Sequence, residues 1–323
     1  MFSSGVVKLA SGDAAWRQLT ALTYHYETQP LPTWLGWYAH QWPAWCQRVS
    51  CGVMFGMELL VPWLIFTPRA GRHAAGLLLI GFQGLILLTG NYTFFNALTI
   101  ALCLFLFDDA AWPEALRRPA VGGPAAPGPR GAWPRWLMGL VGAGLGILSL
   151  APLSQLLPVP GAVARPFFVL YRAAAPLRIV NGYGLFAVMT TRRLEIEIEG
   201  SRDGQTWQPY AFPWKPGDVR RRPAFVAPHQ PRLDWQMWFA ALSRYDDAPW
   251  FLRFCEQLLR GSPAVLRLLA GNPFPEAPPR YLRAVAYEYH FTDGPTRRQT
   301  GAWWRRTRAG LYCPVLSLEA SAR

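Results

Sequence analysis

The chain opens on polar residues and then becomes strongly apolar in four runs: Cys51–Phe66, Ala74–Gly90, Tyr92–Phe107 and Trp136–Leu157. A helix that crosses a bilayer takes roughly 20 apolar residues. The fourth run meets that length alone, and the other three stand at its lower edge. Buried helices of a large soluble core are the competing reading. Three such runs in succession, joined by very short turns, favour the membrane. Beyond Leu157 the period changes. Leu194, Ile196 and Ile198 alternate with Glu195, Glu197 and Glu199, which predicts a strand with one wet face. Asp203–Gly204 predicts a turn before a second strand over Thr206–Phe212. Val285, Tyr287, Tyr289 and Phe291 alternate likewise, followed by a turn at Asp293–Gly294 and a segment over Trp303–Leu318. Between these pairs, Trp235–Leu242, Pro249–Leu259 and Pro263–Leu269 have helical spacing. Ser262 before Pro263 predicts a capped helix start.

The expected fold is a membrane α-helical bundle of about four transmembrane helices (51–66, 74–90, 92–107 and 136–157), followed by an α+β extramembrane domain with an antiparallel sheet. The domains are then an extramembrane and interfacial aromatic segment over 1–50, the transmembrane region over 51–157, and the α+β domain over 158–323. The stretch PAVGGPAAPGPRG at 119–131 reads as a flexible linker. Gly139, Gly142 and Gly146 lie within the fourth run at spacings that let membrane helices approach closely. That reading outweighs a nucleotide loop.

Charge sets the topology. Arg69 and Arg72 lie between runs one and two, and Arg117, Arg118, Arg130 and Arg135 between three and four, whereas only Gly90–Asn91 separates two from three. Basic loops face the cytoplasm, so loops 67–73 and 108–135 are expected there, with residues 1–50 and those after 158 on the other side. No signal sequence precedes the first run. Either that run starts translocation, or the chain is part of a longer one.

Charged residues make up 16% of the 323 and the net charge is +13, yet only Lys8 and Lys215 are lysines. The arginine skew suits a GC-rich bacterial genome. Nucleic-acid binding is not expected, because the arginines are scattered and no recognition motif is present. Disorder and a disulfide-dense small fold are excluded by the apolar content and by five cysteines in so long a chain. No G-x-S-x-G, P-loop, H-E-x-x-H or C-x-x-C occurs, so neither a metal nor a cofactor is expected.

Several side chains could carry function. His25, Glu27 and Gln29 alternate in TYHYETQPLP and would share one side of an extended segment. A His–Glu pair can do acid–base work, while a polar interface segment is the bland alternative. Trp34, Trp37, Tyr38, Trp42 and Trp45 make one helical stripe, read as an interfacial helix over 33–46 that Pro43 bends or restarts. A core-facing stripe is nearly as good a reading. Glu58 lies within run one and needs a partner at membrane depth, with Gln83, Asn91 or Asn96 in reach by sequence. Asp108 and Asp109 are expected to pair with Arg117 or Arg118. Arg222, His229, Gln230, Arg232, Asp234, Trp235 and Trp238 form a dense polar–aromatic cluster suited to binding a client protein, or else a core with arginine–carboxylate pairs to Asp234 or Asp218. Cys46, Cys51, Cys255 and Cys313 lie where disulfides are permitted, and Cys103 is a membrane packing residue.

Taken together, LTYHYETQPLP at 22–32, LTGNYTFFNALTIALCLFLFDD at 88–109 and RRPAFVAPHQPRLDWQMWFAALSRYDDAPW at 221–250 resemble the lipase maturation factor family. EIEGSRDGQTW at 197–207 and GNPFP at 271–275 extend the likeness over nearly the whole chain. The resemblance implies a multi-pass membrane protein that helps secreted lipases fold and assemble, lumenal in its C-terminal domain in the endoplasmic reticulum of animals. In a bacterium it implies the inner membrane with a periplasmic C-terminal domain. Members of that family usually carry further membrane sequence ahead of the TYHYETQ-like stretch, which this chain is expected to lack. The partners expected are a secreted lipase or other hydrolase client and the lipid bilayer. The alternative is a membrane enzyme with His25, Glu27 and Glu58 as its acid–base set. A scaffold that docks a partner without raising its activity is the third reading.

Overall fold

Two prolines decide where the first long helices begin. Proline lacks an N–H and crowds the turn before it, so it fits only at a helix start. Pro43 offers its carbonyl to the Gln47 N–H (3.2 Å) and Pro68 offers its own to Arg72 (3.1 Å), each opening a helix. The computed structural model describes residues 1–114, 133–154, 160–182 and 186–318. The first 60 residues form α1 (Phe2–Ala10), α2 (Ala14–Arg17), α3 (Leu22–Thr28), α4 (Trp34–His40) and α5 (Ala44–Leu59), with a 3-10 turn over Val61–Phe66. There follow α6 (Arg69–Thr89), α7 (Phe95–Leu104), α8 (Arg135–Ser154) and α9 (Gly161–Ala174).

Ala44–Phe66, Arg69–Thr89 and Arg135–Ser154 are each long and apolar enough to cross a membrane. The helices start earlier than the apolar runs because charged first-turn residues such as Arg69 and Arg72 belong to the helix but not to the run. The expected span over 92–107 shrinks to the ten residues of α7. At 1.5 Å per residue that is about 15 Å, half the hydrocarbon thickness, so three spans rather than four are long enough among the described residues. The expected linker at 119–131 lies outside the described residues.

Contacts divide the chain into two compact units that do not follow chain order. One comprises residues 1–19, 51–79 and 102–189, the other residues 20–50, 80–101 and 190–323. In the first unit, α1 lies close on the end of α5: a Cβ on Gly5 would meet Leu59 at 2.7 Å. Trp16 is buried there, edge-on to Phe55, with its indole N–H donated to the Phe186 carbonyl (2.9 Å). α8 contacts α9, yet Met138, Leu140 and Leu145 stay exposed. The expected close packing on Gly139, Gly142 and Gly146 is not found among the described residues, since nothing stands within 4 Å of where their side chains would begin.

The second unit is built on an antiparallel sheet of β1 (Arg193–Ser201), β2 (Gln208–Pro209), β3 (Tyr281–Phe291) and β4 (Trp304–Leu316), in the order β2-β1-β3-β4. Its helices are α10 (Arg232–Ala240), α11 (Pro249–Leu259), α12 (Pro263–Leu266) and α13 (Gly294–Thr300). Ile196, Ile198, Leu282, Ala284 and Cys313 meet Met237, Phe251, Phe254 and Leu258 in one core. The α+β reading with an antiparallel sheet therefore holds. Three details differ. The second strand is only two residues long. Asp293 caps α13 through its carboxylate on the Thr296 N–H, so Asp293–Gly294 starts a helix and not a bare turn. Ser262 caps α12 with its backbone carbonyl only, accepting from Val265 and Leu266.

The close approach that positions the functional segment falls at Gly36. A Cβ there would stand 2.6 Å from the Thr89 carbonyl oxygen, which is backbone and cannot swing away. Gly36→Ala is therefore expected to destabilise the protein by about 1–3 kcal/mol. Thermal unfolding in detergent, with Gly52→Ala as control because a Cβ there would meet nothing within 4 Å, checks this; an unchanged midpoint would refute the close packing.

Candidate functional site

TYHYETQ does not run extended. Leu22–Thr28 is a helix, because Leu22 and Tyr26, one turn apart, pack on one side in a cluster with Trp37 of α4, while α3 ends at Gln29 ahead of Pro30. A helix turns about 100° per residue, so His25, Glu27 and Gln29 leave it in different directions. The end of α3 carries carbonyls with no helical partner. The guanidinium of Arg193, on the first residue of β1, supplies the donors. Its Nη1 donates to the carbonyls of Glu27 (2.7 Å) and Gln29 (2.5 Å), and its Nη2 to that of Pro30 (3.0 Å). Glu195 Oε1 accepts from the same Nη2 at 2.6 Å, and Lys215 Nζ stands 2.9 Å from Glu195 Oε2. The Trp238 indole N–H caps the neighbouring Thr28 carbonyl at 2.8 Å. Glu195 is thus buried at 2% exposure, not wet as the strand pattern predicts. A carboxylate can be buried when two cations satisfy it.

The three acid–base candidates find separate partners. His25 Nε2 shares a hydrogen bond with the Tyr92 hydroxyl (3.0 Å). Glu27 accepts from the Phe291 N–H (2.9 Å) and lies 3.2 Å from His290 Nδ1 and 3.8 Å from His40 Nε2. Glu58 pairs with Lys8, its two oxygens 2.5 and 2.6 Å from the ammonium, rather than with Gln83, Asn91 or Asn96. Sequence reasoning missed this because Lys8 lies on α1, fifty residues away, and no local pattern couples the two. Gln83 instead accepts from Asn96 (2.7 Å). Asn91 bridges, donating to the Leu31 and Ala224 carbonyls and accepting from the Val226 and Ala227 N–H groups. Gln29 donates to the carbonyls of Tyr26 and Thr89.

The 214–238 cluster separates into a buried and an exposed part. Asp234 accepts from the Trp214 and Lys215 N–H groups (2.9 and 2.8 Å). Burial raises its pKa, and those two hydrogen bonds with the Lys215 charge only partly offset the rise. Its partners are thus backbone, not the arginines expected. Arg221 donates to the Phe212 and Lys215 carbonyls, and Asp218 accepts from the Arg220 N–H. Trp238 and Asp234 are buried, Trp235 is half-buried, and Arg222, His229, Gln230 and Arg232 are exposed. The Arg222 guanidinium lies 5.7 Å over the Trp34 ring.

The aromatic stripe splits as well. The expected helix over 33–46 ends at His40, because Pro43 cannot be carried inside it. Trp45 belongs to α5. Trp37 is buried among Tyr26, Tyr289, Phe291, Trp303 and Trp304. Tyr38, Trp42 and Trp45 are exposed, and Trp34 is intermediate. Asp108 pairs with Arg69 (2.7 Å) and Arg72 (3.5 Å), with His73 at 3.4 Å. Arg117 and Arg118 lie outside the described residues. All five cysteines are free thiols. Burial pushes the Cys313 thiol up to about 11. Among the described residues no group of three or more His, Cys, Asp or Glu could hold a metal ion.

The residues to which sequence reasoning gives no role are Arg193, Lys215 and Lys8, and it gives Asn91 the wrong partner. One signal was available: the chain keeps only two lysines, and both are buried on a glutamate.

Two expectations follow from these partners. Removing one member of a buried ion pair strands the other, at a cost of about 3–5 kcal/mol. Lys8→Met or Glu58→Gln alone should lower the unfolding midpoint in detergent, and the double variant should recover most of the loss. A double variant no better than the worse single would refute the pairing. Burial lowers the His40 pKa below the ordinary 6.5, more than the Glu27 charge raises it, with His290 lowering it further. The unfolded chain then takes up a proton first as pH falls. Stability from neutral His40 is full above 6.5 and is lost as pH drops from there towards its folded value. Unfolding of the protein followed between about pH 7.5 and pH 5 should show this slope, and His40→Gln should flatten it.

The chain was compared with known proteins. Residues 1–114 match the family model described as "Lipase maturation factor transmembrane domain", and residues 179–314 the one described as "Lipase maturation factor C-terminal domain". Lipase maturation factor 2 of Gallus gallus is 36% identical, over 98% of this chain and 58% of its own length. Lipase maturation factor 1 of Bos taurus is 38% identical, over 98% of this chain and 59% of its own length. Lipase maturation factor 2 of Homo sapiens is 35% identical, over 98% and 58%. The chain thus spans a little under three fifths of the length of these relatives. No solved structure matches it. With apolar helices in the part that matches the transmembrane model and an antiparallel sheet in the part that matches the C-terminal one, this chain belongs to the lipase maturation factor family.

Proposed function

We propose that the protein is a membrane-bound folding and assembly factor for a secreted lipase, acting by binding its client and not by catalysis. The observation that carries this is the match of both parts of the chain to lipase maturation factor models, with relatives named for lipase maturation along almost all of it. The dispersal of His25, Glu27 and Glu58 onto separate partners supports binding over acid–base chemistry. Arg222, His229, Gln230 and Arg232 are the client contacts: they are exposed, they follow one another closely, and Asn91 holds the backbone beside them. Asp234 and Trp238 support that surface from beneath. A client bound in an assembly-competent form is stabilised by mass action.

In this reading the α+β domain lies on the non-cytoplasmic side of a bacterial inner membrane. Asn91, just past the C-terminal end of α6, bonds the 224–227 backbone, while the first turn of α6 carries Arg69 and Arg72. That arrangement agrees with basic residues facing the cytoplasm. The run over 92–107 is a fourth membrane segment, entering by α7 and completed by the turns beyond it. Tyr38, Trp42 and Trp45 lie at the membrane boundary.

The test is a secreted lipase expressed with and without this protein. Loss of the gene should lower active lipase far more than total lipase. Arg222→Ala with Arg232→Ala should cut capture of the nascent lipase while leaving the unfolding midpoint unchanged. Equal active lipase with and without the gene would overturn the proposal.

A further inference from the structure

One helix of the sheet-bearing unit carries exposed apolar side chains on its outer side. On α10 and just after it, Trp235, Phe239 and Leu242 recur at intervals of four and three, which is one face of a helix. Phe239 is 55% and Leu242 49% exposed. The opposite face is used up by Asp234, Met237, Trp238 and Ala240, all buried. A helix on a water-facing domain places polar residues on its outer side. This one places Phe239, Leu242 and part of Trp235 there, beside the exposed Arg232 and Gln236.

The stripe is continuous with the end of a candidate membrane span. Tyr92 comes three residues after α6. Its ring lies 6.5 Å from that of Trp235, and Trp235 lies 6.4 Å from Phe239. Phe94 and Phe95, which lead into α7, are exposed and stacked at 4.6 Å. Asn91 ties this turn to the backbone at 224–227, so the turn and the stripe are held together. The headgroup zone is roughly 5–8 Å deep on each side of a hydrocarbon core of about 30 Å. The two ring-to-ring steps from Tyr92, 6.5 and 6.4 Å, together exceed that depth, so the stripe keeps to the zone by running along the membrane surface. Aromatic side chains concentrate there.

We propose that Trp235, Phe239 and Leu242, together with Phe94 and Phe95, are embedded in the headgroup–acyl boundary of the bilayer, so that the α+β domain lies down on the membrane through α10. The inference needs α6 to cross the membrane and is independent of the identity of the client. It divides the earlier cluster: Trp235 serves the lipid surface, and Arg222, His229 and Gln230 remain open to a protein.

Spin labels test this in the full chain reconstituted into vesicles of phosphatidylcholine and phosphatidylglycerol. Labels are placed by Phe239→Cys and Leu242→Cys, with Leu268→Cys, exposed on the same unit, as control. The background carries Cys46→Ser, since the other four cysteines are buried. Collisions with lipid-soluble oxygen should exceed those with a water-soluble nickel chelate several-fold at 239 and 242, and the ratio should reverse at 268. Chelate access at 239 and 242 equal to that at 268 would overturn the proposal. Protection that arises only when a lipase client is added would overturn it too, because the stripe would then be a protein-docking face. The lipase co-expression assay reads the maturation proposal separately.

Discussion

The guanidinium of Arg193 is the constraint on which the sheet-bearing unit depends. Three backbone carbonyls at the end of α3 and just past it, those of Glu27, Gln29 and Pro30, converge, and only a side chain with several fixed donors can serve them together. Arg193 does so at 1% exposure while stacking 5.3 Å over Trp304. Its charge would be intolerable there alone. Glu195 pairs with it through one carboxylate oxygen and with Lys215 through the other, so one anion serves two cations. The pairing of Arg193 with Tyr289 in the sheet then fixes the rest. It brings Phe291 beside Glu27, whose carboxylate accepts the Phe291 N–H. Segment 20–33 is docked by this set of bonds as much as by the Tyr26 and Trp37 rings.

The two lysines explain each other. Thirty of the thirty-two basic residues are arginines, and those with exposed heads answer to solvent or to a neighbouring carboxylate. Lys8 and Lys215 are 5% and 3% exposed. Each places a compact ammonium against a glutamate where a planar fork would need more room, and each also lies near a ring, Trp16 at 5.3 Å and Phe212 at 5.1 Å. Where the chain departs from its own compositional habit, a buried charge is being balanced.

What could be read from the sequence was what depends on local period. The alternation in 194–198 and 285–291 gave strands, and Pro249–Leu259 gave a helix with those same ends. The apolar runs gave membrane helices, with ends misplaced wherever a charged first turn or a proline set the true boundary. What could not be read depends on residues far apart. TYHYETQ looked extended because His25, Glu27 and Gln29 alternate, yet tertiary burial of Tyr26 and its neighbours made it a helix. Glu197 and Glu199 lie on the face expected to be wet, yet they are only partly exposed and pair with Arg306 and Arg283, while Glu195 is sealed by Lys215, twenty residues on, and no pattern within a strand announces that. The cluster from Arg222 to Trp238 could be read equally as an interface or a core. Its division into exposed Arg222, His229, Gln230 and Arg232 and buried Asp234 and Trp238 was not legible, because the phase of α10 against the core decides it.

The solvent of the apolar helices follows from where their polar atoms go. In water, the exposed side of a helix can leave hydroxyls and amides to the solvent. In lipid each must be satisfied within the chain. Thr89, Thr99 and Ser149 are turned back onto carbonyls at positions 85, 95 and 145, one helical turn earlier. Gln83 and Asn96 bond each other, and Glu58 has Lys8. Meanwhile the outward side chains are leucine, phenylalanine and valine: Leu77, Leu85, Leu98, Leu102 and Val141 are all exposed. Only 6% of the most apolar window of Arg135–Ser154 is buried within the chain. Helices that hide their polar atoms and show their apolar ones are folded for a hydrocarbon surround. That inversion, and not their length alone, is the physical reason to seat them in a bilayer.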